Sequence, residues 1–192
     1  YSQGGKMWNG HDEAELTGEG LQWAGVHHVS SIVGRGVMLD IAAYKGVEHL
    51  QKGEVITPQD MDACVEAQGV KVSPGDTLLI HTGWSKVFGE DRVLWEQGEP
   101  GPDASLVEWL KTKDIVAVGA DNVGVEAKPS VVRQETGASL HLGALRNLGV
   151  YLIENVNLQE LARDRVYEFL FMAAPLRLTA ATGSPMTPLA IV

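Results

Sequence analysis

The sequence predicts one α/β domain built on a mixed sheet, and three observations predict it. Short apolar runs of strand length recur at residues 37–42, 77–81, 115–120 and 150–153. About three helical segments with their own start and stop residues alternate irregularly with these runs. No repeat, low-complexity stretch or linker divides the 192 residues, a length sufficient for one substantial core.

Residues 1–20 mix glycine, tryptophan and acidic residues and read as a loop followed by a weak helical segment. Within them His11-Asp12-Glu13 is a solvated acidic patch, because consecutive loop residues seldom converge on one ion. Residues 29–33 form a strand preceded by His27-His28, whose alternating directions keep the two rings from serving one site. Gly34-Arg35-Gly36 then leads into a buried strand at 37–42. It is no dinucleotide fingerprint, since the third glycine is missing and the loop precedes a strand rather than joining strand to helix. Asp40 lies inside that strand, satisfied either by the backbone or Arg35, or else facing a site.

Thr57-Pro58-Gln59-Asp60 is a helix start: a capping hydroxyl, a proline suited to the first turn and an acid where the dipole favours negative charge. That helix runs to Gln68 and stops at Gly69. Ser73-Pro74-Gly75-Asp76 is a turn, and the strand 77–81 follows it. His81 at the strand end, beside Gly83 and Trp84, lines a pocket or is a satisfied structural histidine. Residues 85–101 read as an irregular loop, long enough to be functional. A helix opens at Pro102-Asp103-Ala104-Ser105 and continues through Lys111. The strand 115–120 ends at Asp121-Asn122, and strand ends are where α/β sites gather polar groups. A loop with Glu126 and Pro129-Ser130 comes next. After the helix–strand unit at 139–155 there is a helical turn at 157–161. An apolar strand region at 166–178, broken by Pro175, a turn at 182–185 and a last strand at 188–192 complete the chain.

Composition narrows the function. Hydrophobic residues make up 44% and charged residues 21%, as in ordinary globular proteins. The formal charge of −10, from 15 basic and 25 acidic residues, argues against nucleic acid and anionic membrane as partners. No apolar run nears the roughly 18 residues of a membrane span. Cys64 is the lone cysteine, which excludes an internal disulfide and a cysteine zinc site; a structural thiol in a reducing cytoplasm fits. There is no G-x-S-x-G elbow, H-E-x-x-H, P-loop or C-x-x-C. Metal-assisted hydrolysis and plain ligand binding survive among the classes weighed.

The stretch from Ser139 to Asn155 carries the main candidate. Leu140, Ala144, Leu145 and Leu148 fall on one helical face, Gly149 suits a left-handed helix stop, and 150–153 is a short buried strand. From His141 to Leu148 a helix climbs roughly 10 Å, and a strand from Val150 to Glu154 covers about 13 Å. If the strand folds back along the helix, Glu154 returns to the level of His141. A carboxylate directly after four apolar residues is costly to bury unless it is paired, hydrogen-bonded or metal-bound. The alternative is a surface histidine and a strand-end glutamate in water.

Seven segments in this order resemble the putative cyclase family of metal-dependent hydrolases, which includes bacterial kynurenine formamidase and isatin hydrolase. They are Gly4 through Gly10, Ile32 through Asp40, Ile56 through Asp60, Pro74 through Trp84, Val118 through Asn122, His141 through Asn155, and Thr182-Gly183-Ser184-Pro185. The resemblance covers essentially residues 1–192 as one domain. It implies a swivelling β/β/α-type fold with a mixed, partly barrel-like sheet, and homo-oligomers, dimer or tetramer, that share active-site residues. It also implies hydrolysis of a small amide, formamide or lactam by metal-activated water, with zinc or manganese as the divalent ion. Glu154 would then be a metal ligand, and His141 a ligand in a two-metal centre or a base in a one-metal centre. Trp84, His81 and Asp121 would line the substrate pocket. Two features depart from the family. Its principal ligand motif, H-x-G-T-H-x-D-x-x-x-H, normally precedes the segment matching Tyr1 to Gly10 and is absent here, which implies missing residues upstream. Relatives often carry arginine where His81 stands. A non-catalytic binding protein without the metal centre is the alternative function.

Overall fold

The structure, a computed structural model, describes residues 1–21 and 23–192. Its frame is a six-stranded sheet. Strands β1 (Ile32–Asp40), β3 (Thr77–His81), β5 (Ala117–Ala120) and β6 (Tyr151–Ile153) run parallel. Strand β7 (Glu168–Ala173) pairs antiparallel with β1, and β8 (Leu189–Ile191) antiparallel with β7. The order across the sheet is β6-β5-β3-β1-β7-β8. The sheet is mixed, as expected, but β6 and β8 remain as edges, so it is not closed into a barrel. A separate two-stranded parallel ladder joins β2 (Val55–Ile56) to β4 (Gly101–Pro102).

The period-two alternation of strand side chains builds a core on each face. Val37, Leu39, Leu78, Ile80, Val118 and Ala120 point to one face. They pack there with Met61 and Cys64 of helix α2 (Pro58–Gln68), Leu110 of α5 (Val107–Lys113), and Leu140 and Ala144. Met38, Leu79, Ala117 and Ile153 point to the other face and pack with Phe169, Phe171, Val156 and Leu158. Because both faces are covered, the central strands read as continuous apolar runs. Each fully buried aliphatic side chain contributes about 1.5–3 kcal/mol.

Helix α2 has the expected ends. Thr57 Oγ1 accepts from Asp60 N at 3.1 Å, Asp60 Oδ2 accepts from Thr57 N at 2.8 Å, and Gly69 is left-handed. Other expectations need correction. The strands read at 29–33 and 37–42 merge into one strand, β1, running through Gly34-Arg35-Gly36, with residues 29–31 outside it and Ile41 and Ala42 already in a short helix. Gly36 is required there because a Cβ would strike the Phe169 ring on β7. His27 and His28 sit in a 3₁₀ turn, Val26–His28, and not at a strand. Residues 85–101 are not an irregular loop but hold helices α3 (Ser85–Glu90) and α4 (Arg92–Glu96), the latter capped by Asp91. The helix expected from Pro102 begins as a 3₁₀ turn, Ala104–Leu106, capped by Asp103, and continues as α5. Helix α6 (Val131–Thr136), capped by Ser130 and stopped by left-handed Gly137, was not expected. The short helices α1 (Ile41–Tyr44) and α7 (Gln159–Asp164) complete the set.

Candidate active site

Strands β6, β5, β3 and β1 lie side by side in parallel, so their carboxyl ends share one edge of the sheet. A polar residue closes each of the four: Glu154 after β6, Asp121 after β5, His81 as the last residue of β3 and Asp40 as the last of β1. The carboxyl edge is where open α/β sheets take their ligands. The four residues divide into a buried group and a partly open one.

The buried group arises from register. Asp40 is aligned with His81 across β1 and β3, and its Oδ1 lies 2.7 Å from His81 Nδ1. The same oxygen accepts from Ala43 N and caps α1. His81 Nε2 faces Asp121 Oδ2 at 3.8 Å. Asp121 Oδ1 accepts from Thr82 N at 2.8 Å and Thr82 Oγ1 at 2.6 Å, and Ser85 Oγ is 3.3 Å from Oδ2. All three side chains are buried. Burial pulls the His81 pKa down, but the Asp40 bond and the charges of Asp121 and Asp40 outweigh it, leaving the imidazole above its ordinary value. Burial likewise pushes Asp40 up, and the His81 and Ala43 bonds and the His81 charge hold it below the usual carboxylate range. The sign of both shifts is that of an internal ion pair. Of the two partners the sequence offered for Asp40, the backbone is present through Ala43 N, whereas Arg35 reaches Asp76 at 3.0 Å and Glu168 at 3.5 Å. Trp84 is fully buried, with its ring against Trp95 and His49. The three residues assigned to a substrate pocket, His81, Trp84 and Asp121, are buried among the described residues.

The partly open group arises from the helix–strand unit. The chain is helical from Leu140, and Leu142–Leu148 is wound as a π-helix. Gly149 stops it at φ 70°, and β6 runs back alongside. The reversal brings His141 Nε2 to 3.5 Å from Glu154 Oε1. The other nitrogen, Nδ1, lies 2.9 Å from Glu126 Oε2. Glu126 is buried, whereas Glu154 is 46% exposed at its side chain, so the histidine bridges interior and solvent. The Glu126 and Glu154 bonds outweigh burial and push the His141 pKa up to about 9. The Tyr1 ring packs 5.6 Å from the His141 ring. Nearby, Glu99 Oε2 accepts from the backbone of Val123 and Gly124, and burial raises its pKa.

Sequence reasoning placed Glu126 in a loop without a role. Glu99 was missed altogether, for it sits inside the stretch read as irregular and no motif marks it. The donor chemistry at His141 fits a divalent ion. An imidazole nitrogen and a carboxylate stand together, and the second ring nitrogen is held by a carboxylate, as ligating histidines usually are. They supply two ligands, and among the described residues no group of three His, Cys, Asp or Glu forms a metal site. A catalytic zinc takes three protein ligands.

The structure thus defines an α/β protein with a mixed sheet whose parallel carboxyl edge carries histidines flanked by carboxylates. The chain belongs to the family described as Putative cyclase, whose model matches residues 13–127. Isatin hydrolase from Roseibium aggregatum is 28% identical over 138 residues, covering 69% of this chain and 51% of that protein. The crystal structure of a novel cyclase superposes with a TM-score of 0.89 at 33% identity, covering all of this chain and 65% of the other. The structure of a protein described as a potential metal-dependent hydrolase with cyclase activity gives 0.59 at 23% identity, covering 83% and 65%, and shows the same fold. The chain thus spans about half the length of its curated relative and under two thirds of these structures.

Proposed function

We propose that this chain forms part of a metal-dependent hydrolase that cleaves the C–N bond of a small amide, formamide or lactam. The observation that carries the reading is His141, with Nε2 toward Glu154 and Nδ1 on buried Glu126, at the carboxyl edge of the sheet. A divalent ion, zinc or manganese, when bound there supplies a Lewis acid for the carbonyl and an acidified water. Glu154 offers its exposed carboxylate to that ion, and His141 offers Nε2 as a ligand or, in a one-metal centre, as the base that takes the water's proton. His141 and Glu154 supply two donors, so a catalytic ion held there takes at least one further protein ligand. His81, Asp121 and Trp84 shape the floor beneath the substrate rather than touching it, in keeping with their burial.

The full-length protein should carry one or two equivalents of zinc or manganese by elemental analysis and hydrolyse small cyclic or linear amides. His141→Ala and Glu154→Gln should each cost more than the roughly 10- to 100-fold that loss of a supporting residue costs. Metal-free full-length protein, or full activity in both variants, would refute the reading. A second reading, a ligand-binding family member without a metal centre, draws on the two-donor count among the described residues. Turnover restored to the 192-residue chain by added divalent metal would exclude it. A homo-oligomer, dimer or tetramer, is part of the proposal. Val33, Leu170, Leu189 and Ile191 leave an exposed apolar region on neighbouring strands β1, β7 and β8 that would suit one. No helix among the described residues is long and apolar enough to cross a membrane. A cytoplasmic location is part of the proposal and draws on the lone cysteine, Cys64.

A further inference from the structure

We infer that Glu126 is a positioning residue, held by a strained turn after β5, which fixes the orientation of His141 so that Nε2 is presented to the site. The inference rests on the metal-hydrolase reading and assigns a role to a residue outside the expected ligand set.

The turn is costly in three ways. Val125 is a β-branched residue at φ 62°, in the left-handed region that such residues avoid. Glu126 N donates to Gly124 O at 2.6 Å across it, the hydrogen bond of a strained three-residue turn. Glu126 itself is buried, and its Oε1 has no hydrogen-bond partner among the described residues. Strain of this kind persists only where the surroundings over-determine it, and here Asn122 does so. It is fully buried, its Oδ1 accepts from Val125 N at 2.8 Å, and its Nδ2 donates to Val125 O at 3.2 Å and to Pro100 O. Val125 is anchored from both sides.

What this arrangement achieves is visible at one place. Glu126 Oε2 lies 2.9 Å from His141 Nδ1 and 3.5 Å from His141 N, so one carboxylate oxygen grips both the ring and the backbone of the same residue. With Nδ1–H donated inward, Nε2 is the nitrogen left facing Glu154. Helix winding alone would not set the ring, because terminal ring torsions are broad. A buried carboxylate that orients a ligating histidine also raises its basicity. Gly124 leaves the space open: a Cβ there would stand 3.2 Å from Glu99 Oε1 and 3.8 Å from His141 Cε1.

The test compares Glu126→Ala and Glu126→Gln with the parent in the full-length protein. The first readout needs no metal. In ¹H–¹⁵N spectra of metal-free protein, the His141 Nδ1–H proton should resonate far downfield, as a ring proton bonded to a carboxylate does. It should vanish into solvent exchange in Glu126→Ala and persist, less deshielded, in Glu126→Gln, whose amide oxygen can still accept. The second readout is cobalt(II) affinity from its visible absorption. It should fall about 10- to 100-fold in Glu126→Ala and less in Glu126→Gln. An unchanged Nδ1 proton in Glu126→Ala, its absence from the parent, or a measurable cobalt affinity that is equal in all three proteins would overturn the assignment. If Glu126→Ala does not fold, as judged by circular dichroism, Glu126→Gln alone decides. An Nδ1 proton at its parental position there would refute the contact. A parent that binds no cobalt but shows the Nδ1 pattern would sink the metal-hydrolase reading and leave the positioning of His141 standing.

Discussion

Asp40→Asn isolates the buried charge between β1 and β3. Asparagine retains an acceptor for both His81 Nδ1 at 2.7 Å and Ala43 N at 3.0 Å, so the cap on α1 survives and only the charge is lost. Stripping a buried ion of its partner costs about 3–5 kcal/mol, while exchanging a charge-assisted hydrogen bond for a neutral one costs about 1 kcal/mol. Both groups are buried, but Asp121 remains 3.8 Å from His81 Nε2 and shares the load. The expected loss lies between these bounds, about 2–3 kcal/mol at pH 5.5 by urea unfolding. Its pH dependence has a definite sign. His81 is raised above its unfolded value near 6.5, so its contribution is fully present below that pH and lost as pH rises through the folded value. In that window the native state holds the proton and the unfolded state does not, and stability falls by about 1.4 kcal/mol per pH unit. Asp40 is lowered below 3.8, so its contribution is present above that pH and lost as pH falls through the folded value. Lys86 opposes the His81 charge and helps hold Asp40 ionised. The gap between parent and variant should therefore be widest between about pH 4 and 6.5 and narrow towards alkaline pH. A gap that stays constant from pH 5.5 to 10 would show that His81 is neutral in the native protein. A variant as stable as the parent would show that the pair is not an ion pair at all.

Gly149→Ala forces an L side chain to φ 70° and drives its Cβ into the Trp8 ring, so the urea midpoint should fall by the equivalent of about 1–2 kcal/mol. An unchanged midpoint would mean that the turn between the π-helix and β6 adjusts freely. Thr57→Ala removes the acceptor of Asp60 N and should destabilise by about 1–2 kcal/mol in thermal melts, with α2 fraying first in hydrogen exchange. Burial pushes the Cys64 thiol up to about 12, and Sγ lies 2.9 Å from Gln68 Oε1. Ellman's reagent should consequently label it at pH 8 only as fast as the protein unfolds; rapid labelling of native protein would contradict a structural thiol.

What was legible in the sequence is what lies close along the chain. Thr57, Pro58, Asp60 and Gly69 name both ends of α2 because each acts on backbone within a turn of itself. The meeting of His141 and Glu154 was legible for the same reason: a helix, a left-handed glycine and a returning strand are consecutive, and two rises per residue suffice to bring their far ends level. The remaining features depend on residues that only the sheet brings together. One strand was read as two because Gly36 answers to Phe169, far along the chain on β7. The sequence offers the backbone or Arg35 as partners of Asp40; the backbone of Ala43 is one, but five residues' separation along one strand carries Arg35 to the other side, and parallel register places His81 beside Asp40. Glu126 carries no motif because its direction is set by a valine in a conformation that valines avoid, held by Asn122. The sheet edge therefore joins two kinds of chemistry with different origins. His141 and Glu154 form a local pair, legible at once and open to solvent. The Asp40–His81–Asp121 row comes from strand register and is closed. The parallel order β6-β5-β3-β1 sets both along one edge, so a change in register at β3 would disturb the buried row while leaving the His141–Glu154 pair assembled.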